Sequence, residues 1–194
     1  MVKVTFKQGF FAILASVALC LAAHGYAKTS PKPRMNIVVV SGDGYAFSLA
    51  VPQGWVADDK SGKAQGMAAL FCPASLGLSG PVIAYVSVAS KGTPGNESLE
   101  KVLVYDTQRY KAERHVQKVQ NAGPIVTKGK LHKAVLKYFA KDADGRYEAV
   151  AYLDSKRTVN ILVLSTKDRA TFRKYLELFK SFVASYVDIS EIKK

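Results

Sequence analysis

The stretch from His132 to Leu164, HKAVLKYFAKDADGRYEAVAYLDSKRTVNILVL, decides the fold class. His132, Ala134, Leu136, Tyr138 and Ala140 fall on one face at a period of two, with Lys133, Lys137 and Lys141 on the other. That alternation is the pattern of a strand buried on one side. Asp142-Ala143-Asp144-Gly145 turns the chain, Tyr147 to Leu153 comes back antiparallel, and a tighter turn at Asp154 to Arg157 leads into Val159 to Leu164. The last run is apolar on both faces and reads as a central strand covered from two sides. Links of hairpin length make this meander antiparallel, so the layers covering it must come from elsewhere in the chain.

One layer follows directly. Asp168 is placed to cap a helix in which Phe172, Tyr175, Leu176, Phe179, Phe182, Val183 and Tyr186 form an apolar stripe, while Arg173, Lys174, Glu177 and Lys180 face out. A second helix precedes the meander, from about Glu97 to about Gln117. Asn96 is its expected cap, Glu97 and Glu100 sit at the end of the dipole that favours acids, and Leu99, Val102, Leu103 and Tyr110 are on the buried side. Asn121-Ala122-Gly123-Pro124 is expected to stop it. Earlier still, Asn36 to Val40 and the alternating run Tyr45 to Val51 flank the turn Ser41-Gly42-Asp43-Gly44, and Met67 to Phe71 and Val82 to Val88 are two more strands. Asp58 to Gly66 reads as a polar loop. The order of strands, helix, meander and helix predicts an α+β fold, an α/β/α sandwich on a central antiparallel sheet.

The chain has 194 residues, 48% of them hydrophobic and 22% charged, the balance of a folded protein. Residues 1–27 read as a signal peptide. Lys3 and Lys7 provide the positive start, Phe10 to Ala23 an uncharged apolar core, and Gly25 and Ala27 the small residues before a cut at Lys28. The core is shorter than the roughly 18–20 residues that a bilayer crossing needs, and the bulky Leu19 before Cys20 argues against a lipidation site. The expected plan is a signal over 1–27, a mobile basic leader over 28–35, a domain over 36–187 and a tail over 188–194, in a protein that is periplasmic or secreted. Losing the signal leaves Cys72 without a partner for an intramolecular disulfide.

Gly44-Tyr45-Ala46-Phe47-Ser48-Leu49-Ala50-Val51-Pro52-Gln53-Gly54-Trp55 places an aromatic-alternating strand before a Pro-x-Gly-Trp turn. This pattern resembles the opening of PsbP-like domains. Leu70-Phe71-Cys72-Pro73, the mid-chain helix, the meander around Tyr147 to Leu164, and Phe179-Lys180-Ser181-Phe182 are similar to later parts of that superfamily, which also contains the nuclear Ran-release factors. The resemblance spans residues 36 to 187 and rests on order and spacing. It implies an α/β/α sandwich and a non-enzymatic accessory or binding role, in the manner of the bacterial secreted branch. No plant-type lumenal targeting region accompanies it, so a photosystem role does not follow.

No nucleotide-binding, zinc-protease or nucleophile-elbow pattern is present, and three histidines leave little for a metal cage. No cofactor and no metal site are expected. Asp142-x-Asp144-Gly145 lacks the continuation of a calcium loop and reads as a hairpin turn. His115, on the expected helix among Arg109, Lys111, Arg114 and Lys118, reads as surface. Trp55 reads as core or rim packing.

The strongest functional signal is charge. Lys and Arg number 28 against 15 acids, and 26 cations remain after residue 27, a net of +11. The expected contact surface comprises Arg109, Lys111, Arg114, Lys118, Lys133, Lys137, Lys141, Arg173 and Lys174. A field of one sign attracts anionic partners. In an exported protein these are an anionic envelope component or another protein, with peripheral membrane contact included. Nucleic acid is not expected, because Tyr105, Tyr110 and Tyr138 do not form a base-stacking set. The expectation is therefore a monomeric, non-enzymatic binding protein. Its alternatives are an envelope hydrolase with a site near His132 or Cys72, and a structural protein bound through a sheet edge.

Overall fold

The computed structural model describes residues 36–129 and 132–190. In chain order its elements are β1 (Asn36–Gly42), β2 (Tyr45–Val51), β3 (Trp55–Asp58), α1 (Asp59–Ala64), β4 (Ala69–Pro73), β5 (Val82–Ser90), α2 (Leu99–Ala112), β6 (Lys118–Val126), β7 (Lys133–Ala140), β8 (Tyr147–Asp154), β9 (Thr158–Thr166), α3 (Arg169–Ala184) and β10 (Val187–Asp188). The expected signal peptide and basic leader lie outside the described residues.

Seven strands form one antiparallel sheet in the order β3-β4-β5-β9-β8-β7-β6, and β1, β2 and β10 form a smaller one in the order β1-β2-β10. The β9 strand, every residue of which is buried, lies inside the large sheet between β5 and β8. Alternation along β8 and β9 sends side chains into two cores. Ala149, Ala151, Leu153, Leu162 and Leu164 meet Phe172, Phe179, Phe182 and Val183 of α3, together with Phe47, Leu49 and Val51 of the small sheet. On the opposite face Val150, Tyr152, Val159, Ile161 and Val163 meet Val102 and Tyr110 of α2. The helices therefore cover opposite faces, which is the α/β/α sandwich the meander demanded. Fully burying one apolar side chain of this size contributes about 1.5–3 kcal/mol.

Asp168 caps α3 by accepting a hydrogen bond from the Thr171 N–H at 2.8 Å. Trp55 packs into the larger core with its ring edge-on to Tyr175. Other boundaries move. The cap of α2 is Ser98, whose Oγ accepts from the Lys101 N–H, and the helix ends at Ala112, short of Gln117. Residues 118–126, expected to hold a helix stop, instead form β6, with a register shift between Asn121 and Pro124. Pro124 has no N–H to donate, which an edge strand tolerates, and Gly123 adopts a φ of 81° that the bulge requires. The expected loop Asp58 to Gly66 contains α1, capped by the Asp58 carboxylate on the Ser61 N–H. Its six residues carry no apolar stripe by which the sequence would betray it. At the other end, the boundary expected at residue 187 falls inside β10, where Asp188 is buried and pairs with Phe47 of β2.

Candidate functional site: a cationic rim

Antiparallel pairing gathers alternate strand ends along one rim of the large sheet. Lys118 opens β6 opposite Ala140, the last residue of β7, and Lys141 follows it. Arg146 precedes Tyr147, which pairs with both Ala140 and Thr166, and Lys167 follows Thr166. Neighbouring strands lie about 4.8 Å apart, so these ends of four consecutive strands place four cationic residues within about 15 Å. Lys118, Lys141 and Lys167 are exposed and Arg146 is half-buried. Arg146 and Lys167 line one cavity of about 290 Å3. The C-terminal turn of α2 adds the exposed Lys111, and the link after it is stitched to the rim. The Gln117 N–H donates to both Ala140 O and Lys141 O at 3.2 Å, and the Ala143 N–H donates to Arg114 O at 3.0 Å. Glu113, Asp144 and Asp168 are the exposed acids of this region.

Arg114 holds the rim from beneath. Its Nη1 donates to Glu148 Oε2 at 2.7 Å and its Nη2 donates to the Asp142 carboxylate. Both acids are buried. The Tyr110 hydroxyl donates to the same Glu148 oxygen at 2.5 Å, and the Tyr110 ring stacks on Phe139 at 3.9 Å with the Arg114 guanidinium 4.9 Å from its centroid. Asp142 uses its other oxygen to accept from the Asp144 and Arg146 N–H groups, which fixes the β7–β8 turn. Burial by itself lowers the guanidinium pKa, but the hydrogen bond and charge of Glu148, with Tyr110 and Asp142, more than reverse this and raise it. Burial, then the neighbouring Tyr85 and Glu148, lifts the Tyr110 phenol well above its ordinary value. Asp142 is thus an anchor of a hairpin turn, as its sequence context indicated.

Two residues at this corner have strained backbones. His115 and Lys141, at φ 52° and 51°, are the non-glycine residues with positive φ among those described. The left-handed region costs an L-residue roughly 1–2 kcal/mol, whereas glycine enters it freely at some cost in chain entropy. The cross-links between 114–117 and 140–143 hold both conformations. His115→Gly is therefore expected to stabilise the domain by about 0.5 kcal/mol, read as a rise of ~1–2 °C in a thermal melt; a fall in Tm would show that the side chain has a contact outweighing the strain. The histidine is exposed, as expected, but lies in the link and not on the helix.

The nine cations expected to form the contact surface do not share a face. Lys111, Lys118 and Lys141 join the rim, with Arg114 below them. Arg109 is paired with Asp106 at 3.0 Å along the groove between α2 and the sheet. Lys137 donates to Thr107 Oγ1 at 2.8 Å, and its burial lowers its pKa. Lys133 stands at the far end of β7, and Arg173 and Lys174 lie on α3, across the sheet from α2. Sequence reading missed Arg146 and passed over Lys167 as a rim residue. Each flanks a strand end, but their proximity follows only from strand order.

The hydrolase alternative relied on His132 or Cys72. His132 directs Nδ1 to Asp154 O at 2.8 Å and places Nε2 3.9 Å from Asp188 Oδ2. The Ser155 hydroxyl donates to that same Asp188 oxygen at 2.6 Å, so the carboxylate stands between serine and histidine, not behind the histidine as base catalysis by a triad requires. Ser155 is also buried. Cys72 is buried in β4, where burial, then the charge of Asp58, raises its thiol pKa, the opposite of nucleophile activation.

No protein-family model matches the sequence, and no curated protein is significantly similar to it. Solved structures do match. Cyanobacterial PsbP from Synechocystis sp. PCC 6803 superposes with a TM-score of 0.51 at 12% identity, over 84% of this chain and 98% of that one. The chain has the PsbP-like fold. Two further structures are similar at lower scores. The Ran-binding protein Mog1p of Saccharomyces cerevisiae gives 0.48 at 11% identity, over 79% of this chain and 95% of that one. LpqN, described as involved in cell envelope biogenesis of Mycobacterium tuberculosis, gives 0.44 at 14% identity, over 80% and 91%. On this PsbP-like scaffold the rim is the edge of the central sheet at which β6, β8 and α3 begin and β7 and β9 end.

Proposed function

We propose that this chain is an exported, non-enzymatic binding protein that docks an anionic partner, an envelope component or another protein, through its cationic rim. The observation that carries the reading is the row Lys118, Lys141, Arg146 and Lys167 at four consecutive strand ends. The turn and link backbones beneath them are fixed by the half-buried Arg114 and the buried Asp142 and Glu148, so the rim is preorganised. Export rests on the signal pattern of residues 1–27. Among the described residues no helix is long and apolar enough to cross a membrane, and contact with a lipid surface is peripheral in this reading.

The mechanism is electrostatic docking. Each Lys or Arg brought to an anionic surface contributes about 1 kcal/mol, and four together correspond to roughly a thousandfold in partitioning at low salt. Cosedimentation with vesicles containing phosphatidylglycerol tests this. Binding is expected to fall by at least ~10-fold as salt rises from ~50 to ~200 mM, since the Debye length shrinks to about 8 Å near the upper end. Equal binding at both salt concentrations, or equal binding to vesicles of neutral lipid, would contradict docking by charge.

A further inference from the structure

Among the described residues the two sheets end in four edges of different character, of which β10 has two residues. The β3 edge has four residues. The β6 edge begins with Lys118 and is broken by the bulge at Gly123-Pro124. Both are devices that discourage pairing with another chain. The β1 edge has neither. Asn36–Gly42 (NIVVVSG) contains no charge and no proline, and pairs with β2 in an unbroken register of seven residues, from Asn36 opposite Val51 to Gly42 opposite Tyr45. Its other side faces no strand among the described residues.

The side chains have the same character. Val40 is buried and Val38 half-buried on the inner face, while Ile37 and Val39 are 62% and 58% exposed. The hairpin closes with two residues, so the pair next to the turn, Gly42 and Tyr45, exchanges hydrogen bonds. By alternation Ile37, Val39 and Ser41 then turn their N–H and C=O groups to the open side. Their β2 neighbours on the outer face, Ala50, Ser48 and Ala46, are small and uncharged.

We propose that β1 pairs with β1 of a second copy of this chain across a two-fold axis through Val39, joining two three-stranded sheets into one of six strands. This surface is independent of the cationic rim. Val39 is the midpoint of the strand, so antiparallel pairing of Val39 with its own copy engages all seven residues. Ile37 falls opposite Ser41 of the copy and Val38 opposite Val40. Residues whose backbone groups are open then meet residues whose groups are open, and outer-face side chains stay on the outer face. Charge selects the same occupant. After residue 27 the net charge is +11, so most surfaces of two copies repel, and β1 with Ser48 and Ala50 beside it is an uncharged stretch on which they meet, Lys156 and Arg157 lying past its hairpin end around Gly44 and Ala46. This replaces the monomer expected from the sequence, where edge strands cannot be told from inner ones. A single strand pair buries less than the ~800 Å2 per partner of a stable complex, so association is weak and concentration-dependent.

Sedimentation equilibrium of the purified protein over ~10–500 µM tests the pairing. The expected result is a reversible monomer–dimer equilibrium that Val39→Lys weakens at least ~10-fold, because like charges then face each other across the axis. Val39→Thr, equally suited to a strand and uncharged, should leave it intact. In the protein without residues 1–27, and so without Cys20, Val39→Cys should form an intermolecular disulfide on mild oxidation, the remaining native Cys72 being buried. A monomer at every concentration overturns the proposal, even if it binds an added strand-forming peptide. A dimer indifferent to Val39→Lys, with unchanged circular dichroism and Tm, overturns it too.

Discussion

Arg114→Ala is expected to be among the most destabilising substitutions in this protein, costing about 3–5 kcal/mol, the range for removing one partner of a buried ion pair. Glu148 and Asp142 are 3% and 7% exposed, and each accepts a hydrogen bond from the guanidinium. Without it two carboxylates are left in a poorly solvated pocket, and the Tyr110 hydroxyl is bonded to an acid whose charge nothing balances. For a domain of this size ~1 kcal/mol corresponds to ~2–4 °C, so Tm should fall by about 10 °C in a thermal melt. Arg114→Lys should fall between, since an ammonium keeps the charge but cannot span both carboxylates as the planar fork does. A loss below ~1 kcal/mol would mean that the cluster is solvated and the rim is not held from beneath.

Reversing the rim should abolish docking and leave the fold standing. Changing Lys118, Lys141, Arg146 and Lys167 together to glutamate replaces four attractive charges with four repulsive ones. At ~1 kcal/mol for each attraction removed, binding to phosphatidylglycerol vesicles should weaken by well over ~100-fold at low salt. The exposed lysines pair with no buried acid, so the melting transition should move by only a few degrees. The informative comparison is the same reversal at Lys133, Arg173 and Lys174, which stand at the other end of β7 and on the opposite helix. If that triple variant loses binding as fully as the rim variant, affinity follows total charge and the rim has no special part. If the rim variant binds normally, the proposed function is wrong.

Much of the architecture was legible because it is written in local periodicity. The doubly apolar run Val159 to Leu164 is buried throughout, the stripe Phe172 to Tyr186 packs as read, and Asp168 caps its helix. Local patterns misled where a distant partner outweighed them. Gly123-Pro124 reads as a helix stop, yet residues 118–126 gain more from pairing with β7, and an edge position excuses the proline. Residues 59–64 have no apolar face, so α1 left no trace in the pattern. The basic residues were visible, but not their fates. Nothing near Arg114 in sequence distinguishes it from Lys111, although one is locked to acids 28 and 34 residues away and the other is exposed.

The sequence by itself determined the fold class and the sign of the surface, because side-chain alternation, helix caps and net charge are properties of neighbouring residues or of simple counts. Tertiary structure alone decided which cations stand together, which are structural, and which strand is left open. Those outcomes depend on strand order and register, and register brings together residues that no local pattern relates.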